Sequence, residues 1–157
     1  MKDLAKLKAA CDAVIADPKL RPILDPNTGQ IVTTFCNFGA MRVAHAMGCD
    51  ELQGLTADNQ YAVMNANKSG LWIKVQGLMA AGLAQQGCLV FAAMTAAMLG
   101  EAHGHIAAVA PVPMQFSGSL NRSVPCVANV GATTGIMKSS QAFPVSKGET
   151  SYFAWDG

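Results

Sequence analysis

Apolar residues recur at helical spacing through the first part of the chain and in short, β-compatible runs through the second, with the change at Gly87. Leu4, Leu7, Cys11, Val14 and Ile15 mark one face of an amphipathic helix. Asp3 is placed to cap it, and Pro18, which cannot continue the hydrogen-bond ladder, ends it. The stretch 18–30 holds three prolines and Asn27-Thr28-Gly29, so it reads as irregular loop. Thr33-Thr34 then offers a cap before Ala40, Val43, Ala44 and Met47, a stripe ended by Gly48. This spacing predicts a helix with Cys36 in its first turn. Further helices are expected over 56–67 and 78–86, the second closed by Gly87, with Trp72 in the loop between them.

Beyond Gly87 the runs CLVFAAM, HIAAVAPV, SVPCVANV and SYFAW, separated by Gly, Pro, Ser and Asn, read as strands. Helices first and strands after predict an α+β domain with an antiparallel sheet. No repeat, low-complexity tract or linker interrupts the chain, so 1–157 reads as one catalytic-size domain, with 1–30 as an N-terminal helix and loop extension.

Composition narrows the function. Eleven Lys plus Arg stand against ten Asp plus Glu with no block of like charge, which argues against nucleic-acid binding through phosphate neutralisation. The longest apolar run, 88–100, falls well short of the roughly 20 residues that span a bilayer, so no membrane insertion is expected. The opening carries Lys6, Lys8 and Asp12 where a secretory signal needs an uninterrupted apolar core. Synthesis in the cytoplasm without a Sec signal is the expectation. The five cysteines contain no CxxC pair and are read as reduced.

Among them, Cys36 alone stands at a predicted helix start, where the partial positive charge of the first turn favours a thiolate. Cys11, Cys49, Cys88 and Cys126 read as small buried hydrophobes, the commoner fate of a free cysteine. About 100° per residue puts Ala40 and Val43 near the Cys36 side, so the thiol should face whatever the helix packs on. His45, nine residues on, is turned half a revolution away and should lie at the surface. A base must then come from His103 or His105, which periodicity does not separate. His105 abuts the run Ile106-Ala107-Ala108-Val109 and should be better fixed, while His103 reads as a loop residue at the rim. An H-x-H zinc site completed by Cys36 would lack any further acidic or histidine cluster. Asn129 in the next strand run is suited to orient an imidazole, as well as to end a strand. Asn37 and Trp72 are candidates for the cleft wall, though capping and core packing are commoner roles for them.

These residues, in this order, resemble the papain-like cell-wall hydrolases of the NlpC/P60 and CHAP group. Thr34-Phe35-Cys36-Asn37 resembles the T-x-C-N segment that opens the nucleophile helix in phage-associated and secreted-effector members, and Gly104-His105-Ile106-Ala107 their G-H-[VI]-A strand. LAQQGCLVFAAM, VANVGA and the ending through SYFAW resemble the intervening and closing segments, so the likeness covers roughly 33–155. The resemblance implies a papain-like fold with N-terminal helices on a C-terminal antiparallel sheet. It also implies hydrolysis of an amide in peptidoglycan stem peptide by a Cys36, His105 and Asn129 triad, with no metal or organic cofactor. Asn37, Trp72 and His103 would line the substrate cleft. Delivery to the wall would fall to a phage particle or a secretion machine, with an immunity protein as a further partner. The segment 95–103 is unusually apolar for such a protein and would form a lid, a partner surface or an altered specificity element. A non-enzymatic interaction protein and a transferase or deamidase on the same scaffold are the rival expectations.

Overall fold

The computed structural model describes residues 2–157. Helix α1 (Leu4–Ala16) begins as its sequence predicts, with the Asp3 carboxylate accepting the Lys6 N–H at 2.9 Å. Its buried face is Leu7, Ala10, Cys11 and Val14. The expected irregular loop instead contains a 3₁₀ turn, Pro18–Leu20, and a small antiparallel ribbon of β1 (Ile23–Leu24) and β2 (Ile31–Thr33). Every residue of both short strands is exposed, so no apolar alternation marked them in the sequence.

Because Thr33 closes β2, it does not cap the next helix. Helix α2 (Cys36–Ala46) has Phe35 at its N-cap and no side-chain cap bond. Helix α3 (Ala57–Ala66) is capped by Thr56 and ends on Asn67 in the left-handed region, φ 46°. Trp72 is then not in a loop: it opens β3 (Trp72–Val75), which leads into α4 (Gly77–Gln85). Thereafter come β4 (Val90–Met94), the short α5 (Ala96–Leu99), β5 (His105–Val109), β6 (Gln115–Ser117), β7 (Arg122–Val124), β8 (Cys126–Asn129), β9 (Gly135–Lys138), α6 (Ser139–Ala142) and β10 (Ser151–Trp155). The expected single run SVPCVANV is divided at Pro125, which has no N–H to give to a ladder.

The main sheet has six strands in the order β3-β10-β4-β5-β8-β9, antiparallel throughout. The protein is thus an α+β fold with helices and an antiparallel sheet. The helices do not all precede the strands: β3 lies between α3 and α4 and pairs with the C-terminal β10. All five residues of β4 and all four of β8 are buried, which is why these strands read as continuous apolar runs. Among the described residues no helix is long and apolar enough to cross a membrane.

Two features of this packing place the site. Helix α2 packs on β5 and meets the end of β8 at Gly39, where an added Cβ would stand 2.9 Å from Val130 Cγ2. The β5–β8 ladder runs through Ala108–Ala128 and Val109–Val127 and is not continued toward His105. The strands therefore part at the end of the sheet that carries His105 and Asn129, and the helix start approaches this opening.

Candidate active site

Cys36 is the first residue of α2, and its thiol lies against the backbone on either side of His105. Sγ is 3.9 Å from the Gly104 carbonyl oxygen, to which the thiol donates, and the Ile106 N–H points at the sulfur from the other side. Burial pushes the Cys36 thiol up from its ordinary pKa. The N–H groups of Ile106, Asn37 and Cys36 itself work against that rise, and the Asp58 carboxylate adds to it. All five cysteines are free and buried, so burial does not single out Cys36. The N–H groups converging on its sulfur do. Cys11, pushed up to about 12 chiefly by burial, has no such donors.

His105 opens β5, and its Nε2 lies 2.7 Å from Asn129 Oδ1 at the end of β8. The Asn129 amide is itself oriented, because Nδ2 donates to the Thr133 carbonyl. Oδ1 must then accept from Nε2–H, which leaves Nδ1 as the unprotonated, basic nitrogen. The Phe143 ring is 4.9 Å from the imidazole, centroid to centroid. On another edge is Gly131, where an added Cβ would come within 3.2 Å of His105 Cε1. Burial holds the imidazole pKa below its ordinary value, while the Asn129 bond and the Glu101 charge oppose that fall. Among the described residues no hydrogen bond joins Cys36 to His105. The thiol's bond goes to Gly104 instead.

Asp58, in the first turn of α3, fastens both ends of the segment between β4 and β5. Its Oδ1 accepts from Ala96 N–H at 2.7 Å and its Oδ2 from Gly104 N–H at 2.8 Å. Bonds to a charged acceptor contribute about 1.5–3 kcal/mol each. Gly104 fits only as glycine, since an added Cβ would stand 2.9 Å from the Met94 carbonyl and 3.0 Å from Asp58 Oδ2. The apolar segment 95–103 is partly helical, and Leu99 buries its side chain in the core.

The structure thus brings Cys36, His105 and Asn129 to one end of the sheet. His103 lies on the exposed bend before β5. Asn37, next to Cys36, is half-buried, its Nδ2 donating to the Leu55 carbonyl at 3.1 Å. Trp72 belongs to the core: it is 2% exposed, and its Nε1 donates to Glu51. Buried in this way, Trp72 presents no surface to a cleft. His45 is at the surface, 2.7 Å from Asp50 Oδ1. Among the described residues no group of three or more His, Cys, Asp or Glu side chains is placed to hold a metal ion. The sequence alone assigns no role in the site to Asp58, Phe143 or Gly131. Asp58 carried the faint signal of an acid in the first turn after a Thr cap, whereas the other two act only through contacts distant in the chain.

No protein-family model matches the chain, and no curated protein sequence matches it.

Proposed function

We propose that the protein is a cysteine hydrolase that cleaves an amide bond in peptidoglycan stem peptides, on a papain-like fold of the NlpC/P60 and CHAP type. The observation that supports this most is the meeting of Cys36, at a helix start, with the strand of an imidazole whose Nε2 is held by Asn129 at 2.7 Å. In this reading His105 Nδ1 takes the thiol proton and the sulfur attacks the substrate carbonyl carbon. The resulting oxyanion accepts hydrogen bonds from backbone N–H groups at the start of α2, where those of Cys36 and Asn37 face the sulfur before attack. The C–N bond breaks as His105 returns the proton to the leaving amine. Water, deprotonated by His105, then cleaves the thioester and frees Cys36. No metal or organic cofactor takes part. A phage particle or secretion machine would carry the protein to the wall, and an immunity protein would protect the producer.

Digestion of purified peptidoglycan, followed by mass spectrometry of the fragments, tests the proposal. Wild type and Cys88→Ala should release peptide fragments and Cys36→Ala should release none. Undiminished digestion by Cys36→Ala would overturn the mechanism.

A second reading draws on the thiol itself, which is 6% exposed and bonded to Gly104 rather than His105. A non-catalytic interaction protein would hold it the same way, and a correctly folded wild type that releases nothing would favour that reading. A transferase or protein deamidase would use the same three residues and differ in its product.

A further inference from the structure

Helix α3 touches both halves of the candidate site through two side chains, Asp58 and Gln60, which helical rotation turns about 200° from each other. Asp58 bonds the segment between β4 and β5, accepting from the Gly104 N–H. Gln60 bonds the start of α2 instead. Its Nε2 donates to the Asn37 carbonyl at 3.1 Å and to the Leu52 carbonyl at 3.2 Å. Both partners can only accept, so the amide cannot be turned over without setting Oε1 against two carbonyl oxygens. Oε1 is left without a partner among the described residues, on a side chain that is 0% exposed.

A buried amide with an orphaned oxygen is a costly way to fill a core, since methionine has nearly the same length and would leave no polar atom of its own unpaired. What the amide adds is an attachment between elements. The first turn of α2 has no side-chain cap to hold it. Asn37 follows Cys36 directly, and its N–H is one of the donors that face the sulfur. We infer that Gln60 is a positioning residue: by bonding the Asn37 carbonyl it holds the first turn of α2, and so the Cys36 thiol, in register with the Gly104 backbone that Asp58 holds. Its effect on turnover rests on the hydrolase reading, whereas its effect on the thiol does not.

Gln60→Met removes both donors and the orphaned oxygen while keeping the length of the side chain. Met64→Val, one turn further along the same buried face of α3, is the control for lost packing alone. For each protein the melting temperature, the kinetics of peptide release and the pH profile of Cys36 alkylation by iodoacetamide are measured, the last on the Cys36 peptide by mass spectrometry. Asp58, the charge that acts on the thiol from α3, and His105 on β5 are unchanged in both variants. In Gln60→Met the N–H groups are free to drift from the sulfur, so the alkylation midpoint should move to higher pH by about half a unit or more. Its kcat should fall about tenfold with KM within about twofold of wild type. Met64→Val should lower the melting temperature and leave the midpoint and kcat unmoved. A Gln60→Met midpoint that stays at the wild-type value, or moves no further than that of Met64→Val, would overturn the inference. Rapid solvent exchange of the Gln60 Nε2 protons in wild type would overturn it too, and needs no variant to fold. A wild type that releases no peptide while Gln60→Met still shifts the midpoint would keep the positioning role and overturn the hydrolase.

Discussion

The two halves of the candidate site are held in different ways. On the sheet side, His105 is fixed by a strand, by Asn129, by the Phe143 ring and by the absence of a side chain at Gly131. On the helix side, Cys36 starts a helix with no side-chain cap and donates one long hydrogen bond, to a carbonyl beside the imidazole, while backbone N–H groups face its sulfur. In the proposed hydrolase, the contrast separates a base already oriented from a nucleophile whose thiol still donates to a carbonyl. There the thiol would have to leave the Gly104 carbonyl to meet the imidazole. Asp58 therefore matters to both halves, since it holds the backbone on which the imidazole stands and against which the thiol rests.

The contrast breaks most sharply at the base. His105→Gln should lower the rate of peptide release by about 10³-fold, and Asn129→Ala by about 10²-fold, within the 10²–10⁴ that a positioned base contributes. Alkylation of Cys36 by iodoacetamide reports the thiol independently of turnover. An Asn129→Ala protein with undiminished release would show that the imidazole does not need its oriented partner.

A smaller loss is expected at the fastening. Asp58→Ala frees two backbone N–H groups at opposite ends of one segment, so the Ala96 and Gly104 amides should exchange with solvent faster than the core of β4. Release should fall about tenfold, the misplacement being slight and both reacting groups intact. Unchanged exchange at these two amides would show that the backbone keeps its shape without Asp58.

The smallest effect lies in the pH profile. A base works only while neutral, so kcat/KM falls as pH drops through the imidazole pKa. Burial lowers that pKa below the ordinary 6.5, which puts the acid limb below pH 6.5. Asn129→Ala removes a contact that raises it, so the limb should move further toward acid. An acid limb above pH 6.5 would mean that the imidazole is more exposed to water or to negative charge than the structure has it.

Local signals in the sequence were sufficient wherever an element satisfies its own rules. The Asp3 cap, the Pro18 stop and the stripe of α1 are visible within a few residues of one another. So are the start of β10 at Ser151 and its end at Trp155, bounded by turn-forming residues. The ribbon 23–33 was not legible because its apolar side chains bury nothing, and period-2 alternation reports only a strand with one covered face. The strand that begins at Trp72 is hidden for a related reason: a four-residue strand at the edge of the sheet owes its conformation to pairing with β10, more than seventy residues later.

Within the site, the sequence by itself determined that Cys36 would begin a helix, that His45 would turn away from it, and that His105 would lead a buried strand. Helical rotation and the apolar run after His105 suffice for these, because both act over fewer than ten residues. Only the tertiary structure decided that β8 lies beside β5, which aims Asn129 at Nε2 and so leaves Nδ1 basic. It alone decided that Asp58 clamps Gly104 and that the thiol settles on the Gly104 carbonyl. These contacts join residues 24 to 68 positions apart. They form only once the burial of strands and helices has brought those segments together, and no short-range pattern encodes them.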